Sequence, residues 1–190
     1  ALEYLAVGDS QRQANARATA AVAYRTAAAL DPANARAREA LEGLCEERKR
    51  EEQFAEASRL MERGDRRGAI AMFARLRASA PAPAASLLEG ICRYELREDA
   101  EAALRLAEAR ADPQLASAAE LFGGLLALRE GNAAAAARSF DAVGADSGLR
   151  AAAADLAGLS RREGRLTVLA AIESGYDSNA DLTSSMLPQQ

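Results

Sequence analysis

The chain has 190 residues, of which 49% are apolar, 4% are aromatic and none is tryptophan or histidine. It carries 24 basic and 28 acidic residues for a net charge of −4, so it lacks the basic surplus that a nucleic-acid binder concentrates on one face. The missing histidine excludes a histidine-ligated metal site and every triad or dyad with imidazole as base.

Residues 1–34 read as a pair of helices, the first carrying Tyr4, Val7 and Gly8 and the second Ala20, Tyr24 and Ala27. The second runs from about 16 to 30 and stops at Asp31-Pro32, because proline cannot continue a helix and pushes its predecessor out of helical geometry. A long helix follows over 34–63, with Leu41, Leu44, Phe54, Ala57 and Met61 at helical spacing. Its charged middle, 46–52, is expected to be solvated and laced by i,i+4 pairs such as Glu46–Arg50. The C-terminal half of this helix opens a second pair over 50–83, turned at Gly64-Asp65 and ended near Pro81.

A third pair spans 84–113, its first helix marked by Leu88, Gly90, Ile91 and Tyr94, and its second by Ala100, Leu104 and Ala107. A fourth covers 117–148, with Leu121, Gly124, Leu125 and Leu128, a Gly131-Asn132 turn, then Ala136, Phe140 and Val143. One more first helix occupies 149–163. Alanine is the strongest helix former and buries little area, so this composition favours close helix approach with modest hydrophobic stabilisation per pair.

One spacing recurs: a small residue, an aromatic four later, an aliphatic or small residue three after that, and proline five further on. Ala20, Tyr24, Ala27 and Pro32 show it, as do Ala69, Phe73, Leu76 and Pro81, and Ala136, Phe140 and Val143 repeat all but the proline. This resembles the second-helix signature of the tetratricopeptide repeat (TPR). The resemblance implies an all-α solenoid over 1–164, in which each helical hairpin is stabilised by stacking on its neighbours. It also implies a non-catalytic scaffold that binds a protein or peptide on the concave side, lined by first-helix residues. Here those are Leu5, Asp9 and Arg12, then Glu51, Phe54, Ser58 and Met61, then Leu121, Leu125 and Leu128, with core packing competing at each. The lysine and asparagine clamp of chaperone-binding members is absent: Lys49 is the only lysine, and asparagine occurs at 15, 34, 132 and 179 alone.

From Gly164 the pattern changes, and 165–190 reads as a short strand and tail. Leu166, Val168, Ala170, Ile172 and Tyr176 alternate onto one face, as in a strand of an outer-membrane barrel. A second helix capped by Gly175 is the competing reading. Gly175-Tyr176-Asp177-Ser178-Asn179 resembles the first strand and loop of bacterial barrels that carry a periplasmic TPR domain in front. That resemblance implies a periplasmic domain attached to the outer membrane, serving export or surface assembly of a polysaccharide or lipoprotein. A soluble, cytoplasmic TPR adaptor without a barrel is the alternative. Uncapped solenoid ends also allow oligomers.

No phosphate loop, dinucleotide fingerprint or nucleophile elbow occurs. No catalytic residue, metal ligand or cofactor is expected. Cys45 and Cys92 are too far apart for a CxxC motif and read as small buried residues, a disulfide between them being the lesser alternative.

Overall fold

The computed structural model describes residues 1–145 and 147–162. Every regular element there is an α-helix: α1 (Leu2–Gln13), α2 (Arg17–Leu30), α3 (Ala35–Glu62), α4 (Arg66–Ser79), α5 (Pro83–Glu95), α6 (Asp99–Ala109), α7 (Ala116–Arg129), α8 (Ala133–Ala142) and α9 (Arg150–Arg162). The fold is all-α, built from helical hairpins, and 34–63 is one helix as the spacing predicts. Contacts divide the chain into two compact units, Ala1–Gln53 and Phe54 onward, with the boundary inside α3. The expected strand at Leu166–Tyr176 lies outside the described residues.

One register governs all four hairpins. A small residue sits where the two helices cross: Gly8, Ala57, Gly90 or Gly124, each buried. Sixteen residues on, the second helix places a large side chain against it: Tyr24, Phe73, Leu106 or Phe140, also buried. Twelve residues after the crossing stands a fully buried alanine: Ala20, Ala69, Ala102 or Ala136. A Cβ built on Gly8 would lie 2.4 Å from the Tyr24 ring, and one on Gly124 would lie 2.4 Å from the Phe140 ring. The ring of the second helix thus fills the space a first-helix side chain would need. A Cβ on Gly158 of α9 would meet nothing within 4 Å.

The turns obey the same register. Seven residues after each crossing the backbone is left-handed, at Asn15 (φ 59°), Gly64 (85°), Arg97 (64°) and Gly131 (80°). In each turn this residue's N–H donates to the carbonyl three residues back, and the next N–H reaches five residues back, at 2.8–3.1 Å. These bonds satisfy carbonyls that the first helix leaves open at its end. The following residue caps the second helix: Asp65 accepts from the Gly68 N–H and Asn132 from the Ala135 N–H, each at 2.9 Å.

This register corrects the third hairpin. The pattern Ala100, Leu104, Ala107 gives way to Ala102, Leu106, Ala109, which are buried, whereas Leu104 is 53% exposed. Leucines two apart and alanines at 100, 102, 107 and 109 fit either frame on sequence. The turn decides between them, and its left-handed residue is Arg97, not a glycine.

In the first unit Leu5, Ala20, Tyr24 and Ala27 pack with Ala37 and Leu44 of α3. The charged middle of α3 is not simply solvated. Glu47 accepts from Arg12 of α1, and Glu51 from Arg17 of α2. Along α3 itself, Arg48 pairs with Glu52 at 3.4 Å and Lys49 lies 3.8 Å from Glu46, in place of the expected Glu46–Arg50 pair. The second unit has one continuous core from Ala57 to Ala157, with edge-on ring contacts of Phe54 on Phe73 (5.7 Å) and Tyr94 on Phe122 (5.8 Å).

An ion pair recurs between the first residue of a second helix and the end of the next first helix. Arg66 of α4 donates to Glu95 of α5, and Arg129 of α7 donates to Asp99 of α6 at 2.6 Å, the charges exchanged. Arg129 also donates to the Tyr94 carbonyl and stacks 3.7 Å over the Tyr94 ring.

Two glycines separate backbone cost from packing. Gly64 has open space around it but φ of +85°, so Gly64→Ala should lose about 1–2 kcal/mol through the left-handed penalty alone. Gly43 lies inside α3 with its nearest neighbour, Arg12, at 3.9 Å, so Gly43→Ala should gain about 0.5–1 kcal/mol. Urea denaturation of the two variants checks both signs.

Candidate binding groove

A groove of about 640 Å³ opens in the first unit, lined by Asp9, Arg12 and Gln13 of α1, Tyr24 of α2, and Arg36, Glu39 and Ala40 of α3. Helical spacing puts Asp9, Arg12 and Gln13 on one side of α1. The hairpin register then brings the Tyr24 hydroxyl out past Gly8 to meet them. Tyr24 donates to Asp9 Oδ1 at 2.9 Å, and Arg36 donates to Asp9 Oδ2 at 2.7 Å. Asp9 thereby ties all three helices of the unit together.

Burial, followed by the hydrogen bond to Asp9 and its negative charge, pushes the Tyr24 phenol above its ordinary value of 10.0. Of the other charges, the two exposed arginines are already paired, Arg36 with Asp9 and Arg12 with Glu47. Exposed pairs of this kind are worth about 0–1 kcal/mol, so a ligand carboxylate or guanidinium can displace one partner at little cost.

The structure distributes the residues expected to line a binding face unevenly. Asp9 and Arg12 line the groove. Glu51 is exposed and holds Arg17. Leu5, Met61, Leu121, Leu125 and Leu128 are buried core residues. Phe54 is half-buried against Phe73, and the Ser58 hydroxyl donates to the Phe54 carbonyl of its own helix at 3.0 Å. The apolar run on α7 packs because neighbours cover it on more than one side.

Sequence reasoning missed Tyr24, Arg36 and Glu39 as groove residues, since only the packing of α3 on the first hairpin assembles them. It also missed Glu89 of α5, a fully buried carboxylate. Glu89 accepts from Arg77 of α4 and Arg93 of its own helix, each at 2.8 Å, with Arg105 of α6 at 4.0 Å. Glu108 extends this network by accepting from Arg77 at 3.3 Å and from the Ser86 hydroxyl at 3.0 Å. A buried charge survives only when paired in this way.

The two cysteines differ from each other, and Cys45 alone departs from the expected burial. Both are free; Cys92 is buried, but Cys45 is exposed because its position on α3 faces solvent. Burial, then the nearby Glu95 carboxylate, pushes the Cys92 thiol up to about 12. Among the described residues no cluster of acidic, cysteine or histidine side chains is arranged to hold a metal ion, and no helix is long and apolar enough to cross a membrane.

Comparison with known proteins establishes the fold. No protein-family model and no curated protein matches the sequence. Among solved structures, a crystal structure of MamA is similar at a TM-score of 0.54 and 19% identity, over 81% of this chain and 82% of that one. A tetratricopeptide repeat protein from Parabacteroides merdae ATCC 43184 is similar at 0.50 and 14% identity, over 96% of this chain and 69% of that one. At these identities the likeness is one of fold, and that fold is the TPR-type helical repeat.

Two measurements check this chemistry. In an alkaline absorbance titration, Tyr24 should ionise above the ordinary tyrosine value of 10.0, and Tyr24→Phe should remove that late component. The stability that neutral Tyr24 supplies is full below pH 10 and should fall as pH rises through its raised folded value. With a thiol reagent at neutral pH, Cys45 should react at once and Cys92 only on unfolding.

Proposed function

We propose that the chain is a non-catalytic interaction scaffold whose first unit receives a peptide segment of a partner protein in the groove between α1, α2 and α3. The observation that carries this reading is the groove itself. About 640 Å³ falls within the usual range for ligand sites, and its floor is fixed by the Asp9–Tyr24 bond while its rim presents exchangeable charges. Two arginines and two carboxylates face it, so the segment it suits carries both charge types and is not a plain acidic tail.

The experiment is selection of peptides from a display library on the protein, followed by affinity measurement for Arg36→Glu. Replacing this exposed guanidinium reverses one side of the groove and should weaken selected peptides about tenfold, or 1.4 kcal/mol, without loss of helicity. Equal affinity for the variant would sink the assignment.

A finer reading places this scaffold in the periplasm, ahead of an outer-membrane barrel that exports or assembles a surface polysaccharide or lipoprotein. What supports it is the alternation of Leu166, Val168, Ala170, Ile172 and Tyr176, with the Gly175–Asn179 phrase that follows. Cell fractionation tests it: recovery with the outer membrane is expected, and recovery in the cytosol overturns it.

A further inference from the structure

The charges that face the groove are not matched equally. Arg36 donates to one oxygen of Asp9 at 2.7 Å, and the other oxygen accepts from Tyr24 at 2.9 Å. Arg12 is held from just beyond the lining by Glu47. Glu39, exposed on the α3 wall, has no side-chain hydrogen bond or ion pair among the described residues. Two guanidiniums therefore meet three carboxylates, and the uncompensated negative charge rests on Glu39. The Gln13 amide on the α1 wall is likewise without a partner among the described residues. An unpaired glutamate on an outer helix face, such as Glu42, is ordinary solvated charge. Glu39 differs because it lines a concave site whose other charges are already engaged.

The wall beside Glu39 carries little side chain. Ala40 follows it in the lining, and Gly43 stands one turn after Glu39 on the same face of α3. A Cβ at Gly43 would meet only Arg12, at 3.9 Å. A long aliphatic stem can lie against such a wall while its charged head reaches the carboxylate. Arg36 and Glu39 are themselves neighbours at i,i+3, so α3 presents opposite charges side by side along one rim.

We infer that Glu39 is the specificity residue of the groove and receives an arginine of the bound peptide segment. This rests on the peptide-binding reading of the groove and names the contact that selects the peptide. The Glu39 carboxylate can accept a guanidinium through two parallel hydrogen bonds, a geometry that the ammonium of lysine does not reproduce. The guanidinium has further N–H groups for the Gln13 carbonyl. An acidic residue of the same segment meets Arg36 only by exchange with Asp9, whereas the arginine forms its pair without breaking one. A segment that covered Glu39 without bringing a cation would leave a desolvated, unpaired charge, so such segments are rejected.

The test runs the display selection in parallel on the protein, on Glu39→Gln and on Glu39→Arg. Glutamine and arginine are good helix formers at an exposed site, and circular dichroism checks that both variants keep their helices. Arginine should be enriched at one position of the peptides that the unaltered protein selects. The strongest of these should bind Glu39→Gln about tenfold more weakly by fluorescence anisotropy. Changing its arginine to lysine should cost affinity for the unaltered protein, and changing it to glutamate should restore binding to Glu39→Arg. No arginine enrichment, equal affinity for Glu39→Gln, a lysine peptide as tight as the arginine one, or no rescue on charge exchange would overturn the assignment. If Arg36→Glu still weakens those peptides, the groove stands as the peptide site and only the role of Glu39 falls. A selection that yields no peptide overturns both. Free arginine amide that displaces the peptide at equal concentration would make this a small-molecule site and overturn the inference too.

Discussion

The crossing between a glycine or alanine on one helix and a ring or leucine sixteen residues later is the contact on which the rest depends. It sets how closely the two helices approach, which faces turn inward and where the chain must reverse. Gly8 under Tyr24 and Gly124 under Phe140 leave no room for a methyl group in the present geometry, whereas Ala57 stands opposite Phe73. One methyl is therefore the most that any of the four described crossings holds. The buried alanines contribute little area, so the large side chain at each crossing and, on α5 and α7, the buried leucines beside it carry the apolar burial.

Charge does the orienting that apolar area does not. Arginine, planar and able to donate in several directions, links each second helix to a neighbour: Arg17 on α2, Arg66 and Arg77 on α4, Arg129 onto α6 and Arg161 onto α8. Where such links are buried, as around Glu89, they accept only one arrangement of the helices. Where they are exposed, as around Asp9 and Arg36, the same residue types leave a surface that can trade partners. One vocabulary thus serves both the buried network of the second unit and the exposed pairs around the groove of the first.

Much of the fold was legible because it is written in a repeating spacing. The Gly64-Asp65 and Gly131-Asn132 turns announce themselves by composition, and the aromatic at the centre of α2, α4 and α8 fixes the frame of each. The third hairpin was misread by two residues because its turn hides behind Arg97, a residue that gives no hint of left-handed backbone. The groove was only half legible. Asp9 and Arg12 follow from their place on a first helix, but Arg36 and Glu39 reach the groove through packing of α3 that no local pattern encodes. Leu121, Leu125 and Leu128 look like groove lining by position, and only the neighbours covering α7 show them to be core. Glu89 sits in an apolar stretch beside Gly90, and nothing in the sequence marks it as buried among arginines from three helices.

The near-exclusive use of arginine has a chemical corollary. Lys49, more than half exposed on α3 and facing Glu46, is the sole lysine side chain of the chain. Acylation, isopeptide conjugation or an amine-directed cross-linker therefore finds a single ε-amino group on this surface. Any such adduct reports on the middle of α3 and leaves every arginine-mediated link intact.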